Sequence, residues 1–138
     1  MNEDAMTTNL EEVARTCTRG SDEGSLTFPQ VLGKLREAGV ERYLADLVRD
    51  DKTYYRPDGQ SCVVSGRPVG RVPAVEFDAA GVEAAIRASQ ARAIDYGEFC
   101  RRVVDAGCVG YVVSLLGRRA VYFGRTGETH VEPFPPAT

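Results

Sequence analysis

Few residues in this 138-residue chain have the chemistry to react, and the candidates lie within extended segments. His130 is the sole histidine, so any imidazole-dependent step must use it. Strand alternation places Glu128, His130 and Glu132 on one face. Such a carboxylate–imidazole–carboxylate row has the donors for a divalent metal or an acid/base pair. The competing reading is an edge strand whose solvent face is polar because polar edges resist unwanted pairing. That reading is the more common one, so neither a metal nor a cofactor is expected. Cys62 matches His130 in the repeat described below, and a thiol beside an imidazole would make a nucleophile. An inert, half-buried thiol is the simpler expectation. Tyr54 and Tyr122, also matched, either pack under a helix or form an aromatic contact platform, with core packing preferred. Gly66-x-x-x-Gly70 lacks the lysine of a phosphate loop, and Ser65, Ser89 and Ser114 stand in no nucleophile-elbow context.

The elements that must position these residues occur twice. Leu26 to Val63, shifted by 68 positions without a gap, falls on Ile94 to Val131. Ala38-Gly39 lands on Ala106-Gly107, Tyr43 on Tyr111, Leu47 on Leu115, Tyr54 on Tyr122 and Gly59 on Gly127. In the first copy Thr27 and Gln30 have capping-box spacing, a buried stripe runs through Phe28, Val31, Leu32 and Leu35, and Gly39 ends the helix. Asp95, Glu98 and Gly107 repeat these devices. Strands are expected at Val40 to Val48, Lys52 to Arg56 and Gln60 to Val64, and again at Cys108 to Leu116, Ala120 to Gly124 and Glu128 to Glu132. The segment around Val112, Ser114 and Leu116 is apolar on both faces and is expected to be covered on both.

A first helix is read at Thr8 to Thr18, with Thr8 and Glu11 as its capping pair, followed by a polar loop to Ser25. Asp78 caps its counterpart, which runs to Ala91. Each unit is therefore helix, helix, three-stranded meander. The fold class is α+β, with helices packed on an antiparallel sheet. The expected organisation is a single domain of two repeats (8–64 and 78–132), a linker at 65–77 with an edge strand at Ala74 to Phe77, and a frayed tail at 133–138.

Bulk properties narrow the function classes. The net charge of −3 divides into 9 basic and 12 acidic residues up to Pro68, then 8 and 8. Neither half has the basic excess that a phosphate backbone asks for, so nucleic acid is not an expected partner. No apolar run is long enough to span a bilayer, and the N-terminus does not read as a secretory signal. Cys17, Cys62, Cys100 and Cys108 form no Cys-x-x-Cys pair, and a reducing cytoplasm is the expected compartment.

Phe28-Pro29, Ala38-Gly39-Val40, Arg42-Tyr43 and Thr53-Tyr54-Tyr55 resemble the YbcV-like family of small bacterial proteins. So do Ala84-Ala85-Ile86-Arg87-Ala88, Ala120-Val121-Tyr122-Phe123-Gly124 and His130-Val131-Glu132-Pro133-Phe134 in the second half. The resemblance implies a domain of unknown function; the label "phage envelope protein" on some members finds no membrane or signal segment here. It carries over no catalytic residue.

The functional expectation is a non-enzymatic binding or regulatory module, self-associating, that holds a small ligand or a protein at the seam between its repeats. The alternative is a hydrolytic or metal-assisted enzyme centred on His130 with Glu128, Glu132 or Cys62.

Overall fold

The computed structural model describes residues 3–135, with side chains from Asn9 onward. Helices α1 (Glu3–Glu23) and α2 (Phe28–Glu37) precede strands β1 (Arg42–Asp46), β2 (Asp51–Tyr55) and β3 (Ser61–Ser65). Helices α3 (Ala79–Gln90) and α4 (Tyr96–Asp105) and strands β4 (Cys108–Ser114), β5 (Arg119–Gly124) and β6 (Thr129–Pro133) repeat that order. The fold is α+β, with one antiparallel sheet in the order β3-β2-β1-β4-β5-β6.

The halves join through their first strands, and the register reveals a pseudo-two-fold axis. Leu44 pairs with Val112, its own counterpart in the repeat. Leu47 donates its amide to the Val109 carbonyl at 3.0 Å, and Leu115 donates to that of Glu41 at 2.8 Å, so the bonds flanking the seam are also mates. The correspondence extends to backbone angles: Asp50 and Arg118 match at φ 62° and 53°.

Local chemistry explains the repeated helix. Thr27 accepts from the Gln30 amide while the Gln30 side chain accepts from the Thr27 amide, a complete capping box. In α4 only half of that arrangement forms. Asp95 accepts from the Glu98 amide at 2.8 Å, but the Glu98 carboxylate turns to Arg101 and Arg102, each at 3.0 Å. Gly39 and Gly107 end α2 and α4 at φ +76° and +93°, where a side chain would be strained.

Alternation along each strand sends Tyr43, Ala45, Tyr54, Tyr111, Val113, Ala120 and Tyr122 into one core with Leu35, Val82, Phe99 and Val103 of the helices. Tyr43 and Tyr54 lie 5.2 Å apart at 32°, and their mates Tyr111 and Tyr122 lie 5.1 Å apart at 36°. Tyr43 meets Tyr111 across the axis at 6.4 Å, edge to face. The duplication thus extends to how the aromatic rings pack.

Five expectations are corrected. Helix α1 continues through Arg19-Gly20-Ser21-Asp22 instead of ending at Thr18. Long-range contacts hold that last stretch: Arg67 binds Asp22 through its backbone amide at 3.0 Å and its guanidinium at 2.7 Å. Gly20 serves close packing, since an added Cβ would stand 2.4 Å from the Leu26 side chain. Thr8 is an interior helical position, and its side chain lies outside the described residues. No strand forms at Ala74 to Phe77; the segment crosses the end of α4, bonding Ala74 to the Val104 carbonyl at 3.3 Å and Asp78 to that of Ala106 at 2.7 Å. At the C-terminus Pro133 closes β6, and Phe134 bonds the Arg118 carbonyl and meets Phe28 edge-on, so neither is frayed. Finally, β4 is covered on one face only: Val112 and Ser114 are half-buried, and Leu116 beyond the strand is 74% exposed.

Candidate functional site

The residues proposed for chemistry are dispersed by the topology. Strand β3 carries Cys62 and β6 carries His130, and these are opposite edges of the sheet. Five strand spacings of about 4.8 Å separate them by roughly 24 Å, too far for a thiol–imidazole pair. The axis unites the first strands, so it holds the third strands apart. Burial also pushes the Cys62 thiol up, with Glu11 adding to the rise, which keeps it protonated near neutrality.

His130 is a half-buried neighbour of Tyr122 under α3. Its Nε2 lies 3.6 Å from the Glu132 carboxylate and has no hydrogen-bond partner among the described residues. Glu132 is committed to Arg87 at 2.9 Å. Glu128 is exposed and accepts from the Thr126 hydroxyl at 2.7 Å. The three-residue row is therefore not assembled, and among the described residues no three His, Cys, Asp or Glu side chains converge as metal ligands would.

Tyr54 and Tyr122 are buried, at 1% and 7% exposure, because the helices cover their face of the sheet. They do not form a contact platform. The Tyr54 hydroxyl is paired with that of Thr18 at 2.8 Å, and burial raises both phenols above their ordinary range.

The same alternation buries Lys52, which sequence reasoning passed over although it shares a face with Tyr54. It is 8% exposed, and its Nζ stands 4.3 Å over the Tyr96 ring. Among the described residues no carboxylate lies within ion-pair distance of it. Burial accordingly lowers its pKa from 10.5, opposed by the weaker fields of Cys100 and Asp22. It borders a cavity of about 30 Å³, room for a water-sized group. The aspartates around that cavity are engaged elsewhere, Asp46 with the Val48 and Arg49 amides and Asp50 with that of Val69.

The uncovered face of the sheet is organised differently. Cross-strand pairing aligns Val63, Thr53, Leu44, Val112, Val121 and Val131 in one row that crosses all six strands. Val63 and Val131 at its ends are 58% and 45% exposed, and the four between are half-buried. Tyr55, Arg42, Ser114 and Arg119 form the row on one side. Asp51, Asp46, Gly110 and Phe123 form the row on the other. Arg42 and Arg119 therefore stand along one flank of a largely aliphatic stripe and Asp46 and Asp51 along the other, with Arg42 ion-paired to Glu41 and Asp51 to Arg49. Arg42 lies over Tyr55, its guanidinium carbon 4.1 Å from the ring centre. The signal for this face was present in the sequence, in the Val112-Ser114-Leu116 set, but was read there as a second covered side.

Comparison with known proteins adds relatives without an assigned activity. No family model matches the chain. It is 34% identical over 110 residues to uncharacterized proteins of Mycobacterium tuberculosis and Mycobacterium bovis, across 78% of this chain and 66% of each relative. The chain thus spans a little under two thirds of the length of these relatives, which are bacterial proteins.

Proposed function

We propose that this protein is a non-enzymatic protein-binding module whose docking surface is the uncovered face of its sheet. The observation that carries this reading is the six-strand, largely aliphatic row through Leu44 and Val112, interrupted only by Thr53, flanked by Tyr55 and Phe123 and shielded by no described element. Contiguous exposed apolar surface of that extent is uncommon on a monomer and marks contact sites. Scattered polar groups support an enzyme less well, since Cys62 and His130 sit at opposite edges. The YbcV-like assignment belongs to the same proposal and rests on the paired motifs quoted above. Cytoplasmic residence is also part of it, resting on four free cysteines; no described helix is long and apolar enough to cross a membrane.

Val112→Thr and Val121→Thr test the reading, since threonine keeps the strand shape and replaces a methyl group with a hydroxyl. In dilute solution, binding of an apolar fluorescent dye falls, while the melting midpoint moves by no more than about 3 °C, as for surface positions. Unchanged dye binding, or a drop on the order of 10 °C, would show that the face is packed within the molecule and refute the docking role.

A further inference from the structure

Resting on that docking reading, we infer that the occupant of the open face is a second copy of this chain, related by a two-fold axis running along the aliphatic row. The charge pattern selects this orientation. Facing sheets related by a two-fold axis must have that axis in the plane between them. An axis along the row exchanges the two flanks, so the flank with Arg42 and Arg119 lies over the partner's flank with Asp46 and Asp51. Arg42 then opposes a carboxylate, and Arg119 opposes the partner's Phe123 ring, where a guanidinium is also favoured. An axis along the strands would instead place like flanks together, setting Arg42 over the partner's Ser114 and Arg119 over the partner's Tyr55 and leaving no arginine opposite an aspartate. A protein of unrelated charge pattern has no such match to both flanks at once.

The size of the face fits a dimer of modest affinity. Six strands about 4.8 Å apart and five residues at about 3.4 Å give roughly 500 Å² a side, near the lower bound of about 1,000 Å² in total for a specific interface. The aliphatic row supplies the dry centre, and the charged flanks form its rim. The row lies on the proposed axis, so each of its residues meets its own copy.

Analytical ultracentrifugation over a concentration series is the first measurement, and it should show a reversible monomer–dimer equilibrium. Arg42→Glu should weaken it at least about tenfold, and adding Asp46→Lys to the same chain should restore it, because both contacts are then reversed together. Asp46 also accepts from the Val48 and Arg49 amides, so circular dichroism must confirm folding of that variant. A readout independent of Asp46 is Thr53→Cys with a bis-maleimide spanning about 10 Å, the spacing of packed sheets. Thr53 sits one strand off the seam, so the inferred axis links Thr53→Cys to itself. Linking only in mixtures of Thr53→Cys with Val121→Cys would overturn the axis. A wild-type protein that stays monomeric throughout, or a folded double variant without rescue, would overturn the second copy as occupant. The dye and melting results judge the docking face separately, so the two failures are distinguishable.

Discussion

The two halves share a scaffold down to turn angles and ring geometry, yet they differ where charge is placed. Around the seam, Lys52 of the first half corresponds to Ala120 of the second, and both are buried. The strand opposite shows the converse: Val64 pairs with Lys52, whereas Glu132 pairs with Ala120. Glu132 finds its cation on α3, in Arg87. The first half therefore carries a buried ammonium without a carboxylate, and the second a carboxylate served from a helix. On the open face the divergence follows another rule. The aliphatic row is made of mates (Leu44 and Val112, Thr53 and Val121, Val63 and Val131), while Arg42 corresponds to Gly110 and Asp51 to Arg119. Faithful repetition would have given both flanks the same charge. Duplication supplies the span of the row, and divergence supplies its polarity.

Glycine substitution gives the largest expected contrast between the halves. At Gly107 an added Cβ would stand 2.3 Å from the Glu76 carbonyl oxygen, whereas at Gly39 nothing lies within 4 Å. Both sites have positive φ, so Gly39→Ala should cost about 1 kcal/mol from backbone strain alone. Gly107→Ala adds overpacking against main chain and should cost about 3 kcal/mol or more. Urea unfolding of the two variants decides the matter; equal losses would mean that the linker does not pack against the end of α4.

Lys52→Met is expected to stabilise the fold, because methionine fills a similar volume without a buried charge. The gain should be about 1 to 2 kcal/mol near neutral pH. The sign with pH follows from the lowered pKa. Between its folded value and 10.5 the unfolded chain binds more protons, so wild-type stability rises with pH relative to the variant. The advantage of Lys52→Met should therefore shrink as the solution becomes more alkaline. Thermal melts that show a variant less stable than wild type at neutral pH would mean that the ammonium has a compensating partner.

A smaller contrast comes from the matched tyrosines. Tyr54→Phe leaves the buried Thr18 hydroxyl without its partner and should cost about 1 kcal/mol. For the Tyr122 hydroxyl no hydrogen bond is seen among the described residues, so Tyr122→Phe should change stability by less than about 0.5 kcal/mol. Equal costs in chemical denaturation would erase this difference between the halves.

Much of the scaffold was legible because its signals are local. Thr27 with Gln30, Asp95 before Glu98, and the two terminating glycines act on backbone groups within a turn of themselves. The tyrosine faces followed from strand periodicity. Two misreadings involve distant partners, Arg67 holding the end of α1 and α4 claiming the segment after Pro73, while a third is a contest between local partners, Arg101 and Arg102 drawing Glu98 away from its cap. The candidate site was half visible. Val112, Ser114 and Leu116 marked a second apolar face, but alternation cannot say whether anything covers it.

The sequence by itself determined the repeated unit, its helix ends, its strand faces and its α+β class, because each depends on interactions spanning only a few residues. Tertiary structure decided which strands would meet. Two identical meanders can be joined through either outer edge, and the choice rests on burial. Leu44 and Val112 stand at the seam, while β3 and β6, with Ser61, Ser65, Glu132 and Pro133, suit the edges, where water or a proline can be tolerated. That one choice separated Cys62 from His130, buried Lys52, and aligned six strands into an open face with opposite charges on its flanks. Such outcomes depend on how the pieces sum in space, which no local pattern records.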